Sequence, residues 1–188
     1  MGRLLLLNQD EPGIGVIWMT TLYTIGYEGT DIDRFVATLK SVSVQLLADV
    51  RAVPISRKKG FSKNKLRDRV EQEGIRYVHL AALGDPKPGR DAARAGHFDQ
   101  FRRIYGRHLA QSEPQQSLQE LAKLVDEQTT CLMCFERDPS ECHRLIVATA
   151  LPTQVTMFHL FGDEPDRYVR NAAKIPRSRS GQGAAAAQ

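Results

Sequence analysis

The hydrophobic pattern of this chain changes period several times. LYTI (22–25) is a short apolar run closed by Gly26, and from Asp31 to Lys40 the residues Ile32, Phe35, Val36 and Leu39 recur at helical spacing. VQLLADV (44–50) reads as a buried strand. Ser62 predicts the cap of a second helix reaching about Glu73, with Leu66 and Val70 inward. Gly74 stops that helix, and IRYVHL (75–80) follows as a third strand. Apolar faces at Phe98, Phe101, Ile104, Tyr105 and Leu109, and at Leu118, Leu121, Leu124 and Val125, predict helices over 98–109 and 117–127. TCLMCF (130–135) and VTMFHLF (155–161) read as a fourth and a fifth strand flanking a helix at 139–150. Residues 84–96, rich in Gly, Pro and charge, read as a long loop of the kind that carries function.

Strands alternating with helices imply an α/β fold, because parallel neighbours need crossover connections. The expected architecture is a Rossmann-like, doubly wound, mostly parallel five-stranded sheet with helices on both faces. Its expected order is 3-2-1-4-5, with a switch point between strands one and four. One domain is expected over 20–172, preceded by an extension (1–19) in which Met19 is a possible natural start, and followed by a disordered basic tail (173–188).

Composition narrows the classes. Apolar content of 41% and charged content of 26% fit a soluble globular chain. The run Leu4 to Leu7 is too short for a signal or a span, so a cytoplasmic protein with no membrane partner is expected. The net charge of +4 is unevenly spread. From Arg51 to Val70 eight basic residues (Arg51, Arg57, Lys58, Lys59, Lys63, Lys65, Arg67, Arg69) face Asp68 alone, a local +7 that predicts an anionic partner. With Phe61 as the nearby aromatic, phosphate contact is favoured over base stacking. The ordinary alternative is a solvated helix face.

In a doubly wound sheet, ligands bind outside the carboxyl ends of the strands. Those ends carry Tyr27 and Glu28 after strand one, Asp49 with Arg51, Ser56 and Arg57 after strand two, His79 at the end of strand three, and Cys134 with Glu136 after strand four. Glu136 is the leading catalytic candidate, and Glu28 is placed to share acid and base roles with it. Asp49 and Arg51 have a simpler alternative, pairing with each other to fix their loop, and Glu136 could likewise brace against Arg144 or Arg51. In CFERDPSECHR (134–144), Asp138, Pro139 and Glu141 predict a capping box. Cys142, His143 and Arg144 then fall in the first turns of the helix, where a thiol can be activated and an Arg can hold phosphate. Cys131 and Cys134 form C-x-x-C, but on a strand an i, i+3 pair points to opposite faces, which argues against a redox pair. Cys134, Cys142 and His143, with His79, could ligate zinc, yet their spacing matches no common finger and no metal is expected.

TIGYEG (24–29), DVRAVPISRKKGFS (49–62), HLAALG (79–84) and CFERDPSECHR (134–144), in that order, resemble the uncharacterised family called domain of unknown function 488. The resemblance spans 21–161 and implies an α/β fold and a bacterial-type cytosolic role. It implies no reaction, so function rests on the residues. The expectation is an enzyme acting on a nucleotide or nucleic acid by hydrolysis or glycosyl transfer. Arg51, Arg57 and Arg144 would hold phosphate, with Tyr27, Asp49, Ser56, His79 and His143 lining the ligand. Glu28, Glu136 and Cys142 would do the chemistry. No cofactor is expected, since Gly26-Tyr27-Glu28-Gly29 is not the dinucleotide fingerprint and no P-loop occurs. Two alternatives stand beside it: a non-catalytic nucleic-acid-binding module using Lys58, Lys59, Lys63, Lys65 and Arg67, and a thiol or zinc site. Oligomeric state is not legible in the sequence.

Overall fold

The computed structural model describes residues 20–164. The expected extension over 1–19 and the tail over 173–188 lie outside the described residues. Five strands form one all-parallel sheet: β1 (Thr20–Gly26), β2 (Leu46–Asp49), β3 (Arg76–His79), β4 (Thr130–Cys134) and β5 (Val155–Phe161). Its order is β3-β2-β4-β1-β5. The expected 3-2-1-4-5 is therefore corrected at one place, since β4 enters between β2 and β1. Burial explains which strands are central and which take the edges, while any central place would suit β4. Every residue of β2 and β4 is buried, whereas β3 and β5 keep partly exposed positions and take the edges. A charge-free TCLMC strand gains most from a neighbour on each side and a helix layer on each face.

The chain winds in two directions from the centre. Helices α1 (Ile32–Ser41) and α2 (Lys63–Glu71) cover one face, where Phe35, Val36, Leu39, Leu66 and Val70 pack on Tyr23, Ile25, Leu47, Cys131 and Met133. The other face carries α3 (Lys87–Arg94), α4 (Phe98–Leu109), α5 (Ser112–Glu127) and α6 (His143–Thr149). There Phe101, Tyr105, Leu118, Leu121 and Val147 pack on Leu22, Ala48 and Leu132. Asp31 caps α1 by accepting from the Arg34 amide at 2.9 Å.

Three expected elements change. The loop expected over 84–96 contains α3, whose Lys87 and Asp91 pair one turn apart at 2.7 Å. α5 begins at Ser112, five residues before its expected start, because the polar turn ahead of Ser117 is already helical. The helix expected over 139–150 is broken. Asp138 accepts from the Ser140 amide and closes only a 3-10 turn, Pro139–Glu141, so no capping box forms on α6. Cys142 is extended (φ −125°, ψ 141°), and α6 starts at His143. Ser62 does precede α2, but its hydroxyl donates to the Ser56 carbonyl at 2.9 Å instead of capping the helix.

Candidate functional site

After β1 the chain crosses to one face of the sheet, and after β4 it crosses to the other. Because β4 lies between β1 and β2, its loop emerges between the loops of both. A cleft of about 650 Å³ opens there, lined among others by Tyr27, Arg51, Arg57, Asp85, Glu136 and His143. Three of the four sequence segments thus line one rim, and Asp85, just past the HLAALG segment, joins them. His143 Nε2 lies 2.7 Å from the Val50 carbonyl, joining the start of α6 to the end of β2. Two glycines allow the close approach. A Cβ on Gly26 would overlap the Glu136 carbonyl, and one on Gly84 would overlap the Ala52 backbone.

The first layer of the site is a braced frame. Asp49 has no exposed surface and accepts from Arg51 Nε at 2.8 Å, Arg51 Nη2 at 2.6 Å and the Tyr77 hydroxyl at 2.6 Å. Arg51 Nη1 donates to the Tyr27 hydroxyl at 3.2 Å and to the Phe61 carbonyl at 2.9 Å. The pairing alternative for Asp49 and Arg51 is the observed one, and this guanidinium, 5% exposed, holds the protein's own loop. Tyr27 stacks on Phe61 with ring centroids 4.4 Å apart and meets Phe135 edge-on. His79 Nε2 contacts the Arg51 carbonyl at 2.9 Å, and Ser56 Oγ accepts from the Lys58 amide at 3.1 Å. Arg144 is fully buried and donates to the carbonyls of Glu136 and Arg137, which fixes the turn after β4. Glu28 is exposed and outside the cleft lining, and its carboxylate accepts from the Arg137 amide at 2.9 Å, bracing the same turn. Lys58 Nζ donates to the Tyr27 carbonyl at 3.1 Å, and Arg67 bonds Asp68 at 3.0 Å. Lys59, Lys63 and Lys65 are exposed and outside the cleft.

The second layer is a cluster of two buried thiols, a buried imidazole and a carboxylate. Cys134, the last residue of β4, has its Sγ 3.1 Å from Glu136 Oε2 and 3.7 Å from His143 Nδ1. Cys142 Sγ lies 4.0 Å from the same nitrogen. Burial raises the Cys142 thiol, but hydrogen bonding from Cys134 and the positive His143 outweigh it and hold Cys142 well below the usual thiol range. Burial disfavours charge on His143 too, yet the Cys142 thiolate and the Val50 carbonyl bring it up to about 9. Glu136 is pushed up to about 7, first by burial and then by Cys142. Burial and the neighbouring Cys142 push Cys134 the opposite way to its partner, upward. Cys131 points to the opposite face, in the α1–α2 core, as the strand alternation predicts.

Sequence reasoning missed three contributors. Asp85 is 5% exposed, with one carboxylate oxygen lacking any hydrogen-bond partner, and burial pushes it up to about 6. Arg90 of α3 donates to the Asp85 carbonyl and lines the cleft with Arg94. Tyr105 lies with its ring 5.3 Å from that of His143 and donates to the Leu83 carbonyl at 2.6 Å. The charge-rich stretch 84–96 was the available signal for Asp85 and Arg90; Tyr105 looked like one more apolar position of α4.

Fold and site together define an all-parallel α/β protein with a Cys/His/Glu cluster at the carboxyl ends of its strands. The chain belongs to the family described as domain of unknown function DUF488, whose profile matches residues 31–151. No curated protein matches the chain, and no solved structure does. Among the described residues no helix is long and apolar enough to cross a membrane.

Proposed function

We propose that this protein is an enzyme acting on a nucleotide or nucleic acid, by hydrolysis or glycosyl transfer, in the cleft at the end of β4. One observation carries the reading: a single cleft joins an apolar lip, a guanidinium rim and a reactive floor. Val53, Ile55 and Phe135 are 53%, 78% and 44% exposed, an unusual set of uncovered apolar side chains, and all three line the cleft. They suit the flat face of a base. Arg57 and Arg90 suit phosphate, and among the described residues Arg57 has no ion pair. Glu136, on the floor, is the group placed to move a proton to or from the reacting bond. Arg51 and Arg144, bonded inward, and Glu28, bonded to the Arg137 amide, position the two loops that carry these groups.

The test combines binding and turnover. Nucleoside phosphates and short single strands are screened by thermal shift and by chromatographic detection of products. Glu136→Gln is expected to keep binding and lose roughly 10²- to 10⁴-fold in rate. Arg57→Ala with Arg90→Ala is expected to weaken binding. Unchanged turnover in Glu136→Gln and in the double Arg variant on every substrate would overturn the assignment.

A second reading has its own support. Lys59, Lys63 and Lys65 are exposed, and among the described residues none has an ion pair, as a non-catalytic nucleic-acid-binding surface requires.

A further inference from the structure

Three potential ligand atoms converge below the cleft floor from two elements. Cys134 ends β4, Cys142 is the extended residue ahead of α6, and His143 is the first residue of α6. One donor atom from each lies within 4.8 Å of the other two, and all three residues are buried. We propose that Cys134, Cys142 and His143 form a mononuclear zinc-type site whose fourth position opens into the cleft.

The distances fit the chemistry. Thiolates about 2.3 Å and an imidazole about 2.0 Å from a tetrahedral zinc stand roughly 3.5–3.8 Å apart. His143 Nδ1 lies 3.7 Å from Cys134 Sγ and 4.0 Å from Cys142 Sγ, and the three donor atoms lie within 4.8 Å of one another, so a contraction of at most about 1 Å on any side closes the triangle. The ring is already oriented for this. Its Nε2 faces the Val50 carbonyl at 2.7 Å and keeps its proton there, which leaves Nδ1 toward the two sulfurs. A ligating histidine that donates its other N–H to a carbonyl is the usual outer support of a metal site. Two sulfurs and one imidazole select zinc over magnesium or calcium, which prefer oxygen. Cys131 is excluded because it faces the other core.

The opening follows from the lining. Cys134 and His143 border the cleft and Cys142 does not, so the metal would sit with Cys142 behind it and the cleft in front. Three protein ligands with an open fourth position is the arrangement of a catalytic zinc centre, whereas structural sites are closed by a fourth residue. Glu136 Oε2, 3.1 Å from Cys134 Sγ, stands beside that open position. There it accepts a proton from a bound water. The resulting hydroxide adds to the electrophilic centre of the substrate, the bond to the leaving group breaks with its electron pair, and Glu136 returns the proton to that group. The net reaction consumes one water. This hydrolytic step rests on the function proposed above; the metal site itself does not.

The test uses the full chain purified without chelators. Elemental analysis is expected to give about one zinc per chain. Replacement by cobalt is expected to produce a thiolate-to-cobalt absorption band and tetrahedral ligand-field bands. Cys134→Ser, Cys142→Ser and His143→Ala should each lose the metal, while Cys131→Ser, Arg57→Ala and Glu136→Gln keep it. Because ligand variants can misfold, the wild-type chain is also stripped and retitrated with zinc. Zinc should then protect Cys134 and Cys142 from alkylation, located by peptide mass mapping. A wild-type chain that takes up no metal overturns the site, as does unprotected alkylation or a Cys134–Cys142 disulfide in the purified protein. Loss of metal in Glu136→Gln overturns the open fourth position. Stoichiometric metal without turnover on any nucleotide or nucleic acid defeats the enzymatic reading alone, and turnover by the stripped, metal-free chain defeats the metal's part in the hydrolysis alone.

Discussion

Asp49 and Arg51 stand two residues apart and are almost wholly buried, with Tyr77 completing the carboxylate's partners. A buried pair of this kind contributes little compared with an apolar pair of equal size, but breaking it by removing one partner leaves an uncompensated charge. Asp49→Ala is therefore expected to cost about 3–5 kcal/mol in urea unfolding. Adding Arg51→Met should recover a large part of that loss. If Asp49→Ala alone unfolds within ~1 kcal/mol of the wild type, Arg51 is not held by this carboxylate in solution. The pairing itself was one of two readings open in the sequence. What selects it is Ala48 and Asp49 lying deep between β3 and β4, where a lone guanidinium or carboxylate would be costly.

At the scale of elements, Glu73 follows α2 and ties it to both α1 and its own last turn. It pairs with Lys40 of α1 and, at 2.7 Å, with Arg69. Those two cations, Lys40 first, hold its carboxyl below the usual range. Folding therefore lowers this pKa, so the contribution is present above the unfolded value of about 4.3 and is lost as pH falls through the folded one. Glu73→Gln is expected to lower the urea midpoint slightly at pH 7, with the difference from wild type shrinking as pH falls below the unfolded value of about 4.3. A difference that persists or grows in acid would mean the glutamate acts through packing instead. α1 and α2 themselves were readable from their apolar spacing, because each buries one stripe against one sheet face. α3 was not. Its eight residues include Pro88 and Gly89 with three basic residues, and it is helical because the tertiary structure supports it from Asp85 and α4.

For the whole molecule, the two functional readings place the anion differently, and salt separates them. Binding in the cleft predicts that Lys63→Glu with Lys65→Glu leaves nucleotide affinity nearly unchanged. Binding on the basic surface predicts a loss of affinity for single strands and a salt slope shallower by about 0.7 for each phosphate contact removed. Titration by fluorescence anisotropy across a salt series decides between them. The strand–helix alternation, the two helix layers and the polar ends of β1, β2 and β4 were determined by the sequence, because period and burial are local properties that each segment carries alone. Strand order, the break at Cys142 and the fate of each charged group were decided only by the tertiary structure. Moving β4 between β2 and β1 cannot be read from TCLMC by itself, since any central position would bury it equally. That one placement brings Cys134 and Glu136 between Tyr27 and Arg51, and it turns Arg144 inward while leaving Arg57 facing the cleft. Which polar residues become machinery and which become bracing depends on distances across the fold, and those are summed over segments more than a hundred residues apart.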